Sequence, residues 1–152
     1  TRRRLMLRRA HDDRLARAKE FGADVLINPL KEENVVQAIR DVTHGRGAHA
    51  SLDASSSPLA RAQAVRCVRT WGKACFDNVT LDVSNDLLRR QVTLIGSWTF
   101  STVGQAECAR YVADRGVNVD ALFTHRWRLD QAEEAYKLFD TQSAGKGVIL
   151  PN

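Results

Sequence analysis

Residues 12–29, DDRLARAKEFGADVLINP, constrain this chain more than any other stretch. A carboxylate at the start of a helix accepts hydrogen bonds from the orphan N–H groups of the first turn, so Asp12 or Asp13 is expected to cap one. Leu15, Ala18 and Phe21 then fall near one face, while Arg14, Arg17 and Lys19 point outward. Gly22 supplies a left-handed stop, residues 25–27 read as a short strand, and Asn28-Pro29 turns out of it. A helix, a glycine stop and a strand, repeated along a chain, is the rhythm of a parallel α/β sheet. Strands separated by helices of about ten residues need crossover connections, and crossovers make neighbouring strands parallel.

The repeats follow. Residues 5–10 are short and apolar between arginines and read as a strand, and residues 31–42 as a helix with Val35, Val36, Ile39 and Val42 at helical spacing. After the loop His44-Gly45-Arg46-Gly47 comes a buried strand over 48–54, which Ser55-Ser56-Ser57-Pro58 turns into a helix over 59–68. Pro58 suits a first helical turn, where its missing N–H costs nothing. Trp71-Gly72 reads as a turn, 73–76 as a strand, 77–85 as an irregular connection, 87–90 as a helical turn and 92–98 as the last strand of the series. The character then changes to a helix over 105–115, an extended stretch over 122–127, a helix over 131–140 and a final strand over 148–150.

A chain of 152 residues supports one ordinary domain and is marginal for two. Its apolar runs are far shorter than the roughly 20 residues of a membrane span, and no charged-then-apolar leader opens it, so no secretory signal is expected. Cys67, Cys75 and Cys108 form no C-x-x-C pair, which fits reduced thiols in the cytoplasm. The net charge of +5 owes much to Arg2, Arg3, Arg4, Arg8 and Arg9. A nucleic-acid arm of that kind would interleave aromatic residues to stack on bases, and none is present among these arginines; a solvated terminus is favoured.

The order of pieces resembles the medium-chain, zinc-type alcohol and polyol dehydrogenases. The pieces are residues 13–24 followed by Ile27-Asn28-Pro29, then Gly45-Arg46-Gly47-Ala48 leading into Leu52-Asp53-Ala54-Ser55, and Gly72-Lys73 before a strand. Thr124-His125-Arg126 before a Leu129-initiated helix, and the ending Gly145-Lys146-Gly147-Val148-Ile149-Leu150, complete the set. The resemblance covers the chain from about Asp12 onward. It implies a partial Rossmann-type parallel sheet with flanking helices over 1–100, followed by a small α/β tail over 101–152 that returns to the catalytic domain of a longer enzyme.

In an open α/β sheet, ligands bind beyond the carboxyl ends of the strands. The family presents an acidic residue there for the adenosine ribose, and by spacing back from Asp13 that position falls on Arg9. An arginine pairs with a 2′-phosphate instead, which favours NADP over NAD; the alternative is that the arginine-rich start has diverged. His11 and Arg14 would frame the same phosphate. Ala54, Ser55 and Ser56 would face the ribose-nicotinamide part, although Ser55–Ser57 also suit a helix N-cap with or without a cofactor. Phe76, Asp77 and Asn78 end the next strand, where the family's glycine-containing loop looks shortened. Ser97, Trp98 and Thr99 lie where the family holds the nicotinamide amide, with Trp98 favoured as core or interface. Lys146 reaches a pyrophosphate or stays solvated.

The resemblance also implies what this chain lacks. Zinc in the family is held by residues of the N-terminal domain, and no such ligand set occurs here. No G-x-G-x-x-G phosphate cradle occurs either, and Ser55 lacks a nucleophile elbow. The expectation is the C-terminal part of an NAD(P)-dependent alcohol dehydrogenase, inactive alone, with catalytic residues and zinc supplied from elsewhere. Its substrate would be a small alcohol, and its partner a second copy joined through the sheet edge. A non-catalytic interaction module is the alternative, and a basic nucleic-acid-binding domain a weaker one.

Overall fold

Helix α1 (Asp12–Glu20) ends where the sequence says it must. Gly22 adopts φ +94°, and its N–H and those of Phe21 and Ala23 return to the carbonyls of Lys19, Arg17 and Ala18. Its start differs from expectation. The N-cap is His11, and Asp12 and Asp13 occupy the first turn, where their charge still complements the helix dipole. Asp12 is drawn away from the backbone because Lys31 Nζ and Asn28 Nδ2 donate to its carboxylate at 2.5 and 2.7 Å. Those two bonds hold it below the usual carboxylate range.

The computed structural model describes residues 4–55, 57–76, 79–97, 101–141 and 145–151. They fall into two compact units, 1–99 and 100–152. In the first, α1 connects β1 (Met6–Arg8) to β2 (Val25–Ile27), its parallel partner. Helix α2 (Val35–Val42) leads to β3 (Ala48–Leu52), α3 (Pro58–Arg66) to β4 (Val68–Phe76), and a π turn over Val83–Leu87 with a 3-10 turn over Leu88–Arg90 to β5 (Thr93–Gly96). Strands β3, β4 and β5 form a second parallel sheet in that order. Ile27, Val35, Ile39, Ala48, Cys67 and Val68 make one core, with Met6, Val25 and Val92 packed against it. One set of side chains thus serves both sheets, and burying each of its larger aliphatics contributes about 1.5–3 kcal/mol.

Four sequence expectations need correction here. Helix α2 begins at Val35, not at residue 31, because Asn28 folds residues 28–32 into a turn and the Asn34 side chain caps the helix by accepting from Gln37 N–H at 3.0 Å. The strand expected to be buried over 48–54 is buried only at Ala48, and Leu52 is 75% exposed. Strand β4 runs through the Trp71-Gly72 turn instead of starting after it. Five residues of β4 span two of β3 there, with Trp71 at φ +60°. Phe21, assigned to the buried face of α1, is half exposed.

The second unit is α4 (Thr102–Asp114), β6 (His125–Arg128), α5 (Ala132–Asp140) and β7 (Gly147–Leu150), with β6 and β7 parallel. Ala135 is buried on α5, with Ala132, Leu138 and Phe139 half-buried along the expected stripe. Trp127 packs edge-on against Phe139, ring centroids 5.4 Å apart, and His125 stacks on Trp127 at 5.3 Å. Gly147 is required beneath these rings, since a Cβ there would lie 2.4 Å from Phe139 and 2.5 Å from Trp127.

Candidate functional site

Parallel strands deliver all their carboxyl ends to one end of a sheet, and the loops that leave them carry most of the expected site residues. Ala54 and Ser55 leave β3, Phe76 ends β4 and Ser97 follows β5. Two backbone bonds hold these ends side by side: Asp53 N–H to Cys75 O at 2.9 Å, and Ser97 N–H to Phe76 O at 3.1 Å. Ala54 and Ser97 are exposed, Ser55 and Phe76 half-buried. Arg9 follows β1, fixed by its N–H to Ile27 O at 3.0 Å. Arg14 sits half-buried in the first turn of α1, and His11 is exposed at its cap.

Asp53 organises this end of the sheet, although the sequence showed it only as part of a motif. Its carboxylate accepts from Ser55 Oγ at 2.8 Å and Ser55 N–H at 3.2 Å, and lies 3.8 Å from Arg61 Nε. Both side chains of that ion pair are largely buried. Ser55 Oγ also accepts from Ser57 N–H, and Ser57 Oγ caps α3 through Ala60 N–H, each at 3.3 Å. The serine run therefore performs the capping role read from the sequence. Arg8, at the end of β1, has a buried Nε without a hydrogen-bond partner. Burial pulls the Arg8 guanidinium below its usual value, and the negative charge of Asp53 opposes that shift. The signal available in the sequence was an acid at the end of one strand and an arginine at the end of another.

The remaining expected residues lie elsewhere. Lys146 belongs to the second unit, where it is exposed and its backbone is clamped by Thr124: its N–H donates to Thr124 Oγ1 at 2.9 Å and its carbonyl accepts from Thr124 N–H at 2.7 Å. Ser56, Asp77, Asn78, Trp98 and Thr99, together with Arg2 and Arg3, lie outside the described residues. A cleft of about 600 Å3 opens beside β2, between α1 and α2. Leu15, Val25, Ile27, Ala38 and Val42 line it, and its Asp12 is already paired with Lys31. None of the expected cofactor residues lines this cleft.

The sequence also hid a polar network beneath α3. Asp86, 6% exposed, accepts from Arg66 Nε at 3.0 Å, Arg66 Nη2 at 3.2 Å and Asp82 N–H at 3.1 Å. Arg90 donates to the carbonyls of Val65, Arg66, Val68 and Asp86 at 2.7–3.2 Å, so it caps the end of α3 and ties it to β4. The Arg66 bonds hold the Asp86 carboxyl below its usual value, while burial pushes the Cys67 thiol up to about 11. Among the described residues no three His, Cys, Asp or Glu side chains are placed to hold a metal ion, so these residues do not fit a zinc centre. Nor is any helix of the described residues long and apolar enough to cross a membrane.

Comparison with known proteins agrees with the strand order and the motifs. The family model described as zinc-binding dehydrogenase matches residues 8–115. The zinc-type alcohol dehydrogenase-like protein YphC of Escherichia coli is 34% identical over 141 residues, which is 90% of this chain and 40% of that protein. The L-threonine 3-dehydrogenase of Pyrococcus horikoshii is 32% identical over 151 residues, 91% of this chain and 42% of its own length. An alcohol dehydrogenase of Thermotoga maritima superposes with a TM-score of 0.86 at 26% identity, over 99% of this chain and 44% of that one. The chain thus spans about two fifths of the relatives it matches. It belongs to the zinc-binding dehydrogenase family, and its α/β layout of parallel sheets and flanking helices is that of a C-terminal portion of the Rossmann-like dehydrogenases.

Proposed function

We infer that this chain forms part of an NAD(P)-dependent alcohol dehydrogenase, contributing the ribose and nicotinamide side of the cofactor site. The family match over residues 8–115, which spans every strand end of the first unit, carries this reading. The residues fit the group in part. The ends of β3, β4 and β5 adjoin as a nucleotide-binding edge requires, whereas no glycine-rich turn is present to approach a pyrophosphate. When bound, the nicotinamide accepts a hydride from the alcohol carbon. The chain's own contribution is positional. Arg9, with Arg14, pairs with a 2′-phosphate and so selects NADP. Ser55 and the backbone of Ala54 orient the nicotinamide ribose, and Phe76 and Ser97 bound the nicotinamide. Lys146 supplies charge to the pyrophosphate. Zinc and the proton relay come from outside this chain, so the isolated polypeptide is inactive. A small primary or secondary alcohol is the substrate, and the cytoplasm the compartment.

Titration calorimetry of the purified chain with NADP and then NAD tests the cofactor reading. Heat with NADP that exceeds heat with NAD, and that Arg9→Asp reverses, supports it; no heat with either removes Arg9 from the site. Alcohol oxidation by the chain alone, at a rate unaffected by chelators, overturns the inactivity. One observation favours a second reading, a non-catalytic module that pairs through its edge. Among the described residues, strand β5 pairs only with β4, and all four of its residues are exposed, Leu94 at 37% and Ile95 at 46%. Sedimentation equilibrium of wild type against Ile95→Lys separates a β5-mediated dimer from a monomer.

A further inference from the structure

Among the described residues, the non-glycine positions with left-handed backbone are His44 at φ +56°, Trp71 at +60° and Gln91 at +50°. All lie toward the amino ends of the second sheet, away from the strand ends that carry the expected cofactor residues. His44 is in the loop into β3, Trp71 in the bulge of β4, and Gln91 just before β5. Left-handed backbone is costly for any residue with a Cβ, and most for a bulky one. At Trp71 packing does not repay that cost, because the indole is 68% exposed. Gly72 explains the shape of the bulge. It is buried, and a Cβ there would lie 2.7 Å from Arg69 O and 2.8 Å from Val68 Cβ. The chain doubles back at Gly72 and presents residues 69–71 outward. Strain of this kind concentrates where a side chain is held for a partner.

The exposed charges around Trp71 have one sign. Arg46, Arg69, Lys73 and Arg89 are all exposed. A Cβ on Gly47 would lie 3.0 Å from Arg69 N, so the loop carrying Arg46 abuts the start of the bulge. Thr43 fixes that loop: its Oγ1 donates to Ile39 O at 2.7 Å and accepts from Gly47 N–H at 2.9 Å. Arg90 Nη1 donates to Val68 O at 2.9 Å, which brings Arg89 to the same end. The acids here are engaged within the fold. Asp41 accepts from Gln37 Nε2 at 2.8 Å, and Asp86 from Arg66. Among the described residues, no carboxylate pairs with Arg46, Arg69, Lys73 or Arg89. Burial lowers the Arg90 guanidinium below its usual value against the pull of Asp86, and the nearby charges of Arg40 and Arg66 lower it further.

Unpaired cations beside a free aromatic face match the chemistry of an unstructured nucleic acid, whose phosphates meet the cations while a base stacks on the ring. The aromatic residue missing among the N-terminal arginines is present here. An acidic peptide would use the cations and leave the indole idle. We propose that the surface formed by Arg46, Arg69, Trp71 and Lys73 binds single-stranded nucleic acid, with a base stacked on Trp71 and phosphates held by the cations. Only phosphate charge and a base face are read, and DNA and RNA share both. The surface lies toward the amino ends of the strands whose carboxyl ends carry the cofactor reading, so neither depends on the other.

The test is fluorescence anisotropy of end-labelled oligothymidylate and oligouridylate, each of about 12 nucleotides, titrated with the purified chain. Both are expected to bind with a Kd of about 100 μM or tighter at physiological salt. Contacts from Arg46, Arg69 and Lys73 predict a slope of log K against log salt of about −2. Trp71→Ala should weaken binding at least about fivefold and leave the slope unchanged, and Trp71→Phe should restore most of the loss. Arg46→Ala and Arg69→Ala should each reduce the slope by about 0.7. Trp71→Gly relieves the left-handed strain, so it should weaken binding while raising the urea midpoint. Binding of only one oligonucleotide, or of neither, overturns the proposal. So does a lowered urea midpoint in Trp71→Gly, which would make the indole a packing residue. Equal binding of a polyglutamate of the same length would assign the surface to acidic peptides and overturn it as well. Loss of binding on replacing Arg2, Arg3 and Arg4 with Ala, or on adding excess NADP, would place the nucleic acid elsewhere and also overturn it. The calorimetric result with NADP enters none of these outcomes, so the two readings fail separately.

Discussion

Removing the Asp86 carboxylate tests whether the network beneath α3 holds the first unit together. Asp86→Ala deletes two hydrogen bonds from Arg66 and one from Asp82 N–H. Bonds to a charged group contribute about 1.5–3 kcal/mol each when fully shielded, and a neutral-donor bond about 1 kcal/mol. The Arg66 side chain is 49% exposed, so water recovers much of its share, whereas Asp86 is nearly dry. Discounting the Arg66 bonds by half leaves a loss of about 2.5–4 kcal/mol for Asp86→Ala. Arg66→Ala leaves the carboxylate beside Arg90 and Asp82 N–H, and costs about 2 kcal/mol. Because the two side chains share the same bonds, the double variant should lose less than the sum, by about 1–1.5 kcal/mol. Urea denaturation followed through amide signals of Val65 and Ala74, both fully buried in the first unit, measures the cycle. A coupling below about 0.3 kcal/mol, the scatter of independent sites, would refute the reasoning. The pH dependence follows from the sign of the shift. The Asp86 carboxyl is depressed from 3.8, so its contribution is complete above that value and is lost as pH falls through the lower folded value. Asp86→Asn should flatten the acid limb of the stability profile below about pH 4 and leave the neutral region parallel to wild type.

Gly47→Ala should destabilise the first unit by about 2–4 kcal/mol, since the residue sits at φ +89° and the new Cβ would lie 2.7 Å from Cys67 O. Gly22→Ala, at φ +94° with open space around it, should cost only about 1–2 kcal/mol by the same denaturation assay. Gly147→Ala should displace Phe139 and Trp127, at a cost of about 1–3 kcal/mol in the second unit, read as collapse of the ring-current shifts among those side chains. At pH 8, iodoacetamide should modify exposed Cys108 well before Cys67, whose buried thiol titrates at about 11; mass mapping of equal rates at both would contradict the burial.

What the sequence determined was local. The glycine stop at Gly22, the serine cap before Pro58 and the alternation of helix with strand each depend on a few neighbouring residues, so one sequence suffices to place them. The family motifs are also short and ordered, which is why the zinc-binding dehydrogenase relationship was legible before any fold was known. Boundaries were misread where a distant side chain competed. Lys31 and Asn28 took Asp12 from the helix start, and Asn34, not residue 31, received the cap of α2. Only the tertiary structure decided which residues 20 or more positions apart would meet. It joined Arg66 to Asp86 and Arg90 to the carbonyls of Val65, Arg66 and Val68, and brought the charge of Asp53 to bear on Arg8. Such pairings depend on sheet order and register. Those are set by the summed burial of a core drawn from both sheets, and no window of neighbouring residues contains that sum.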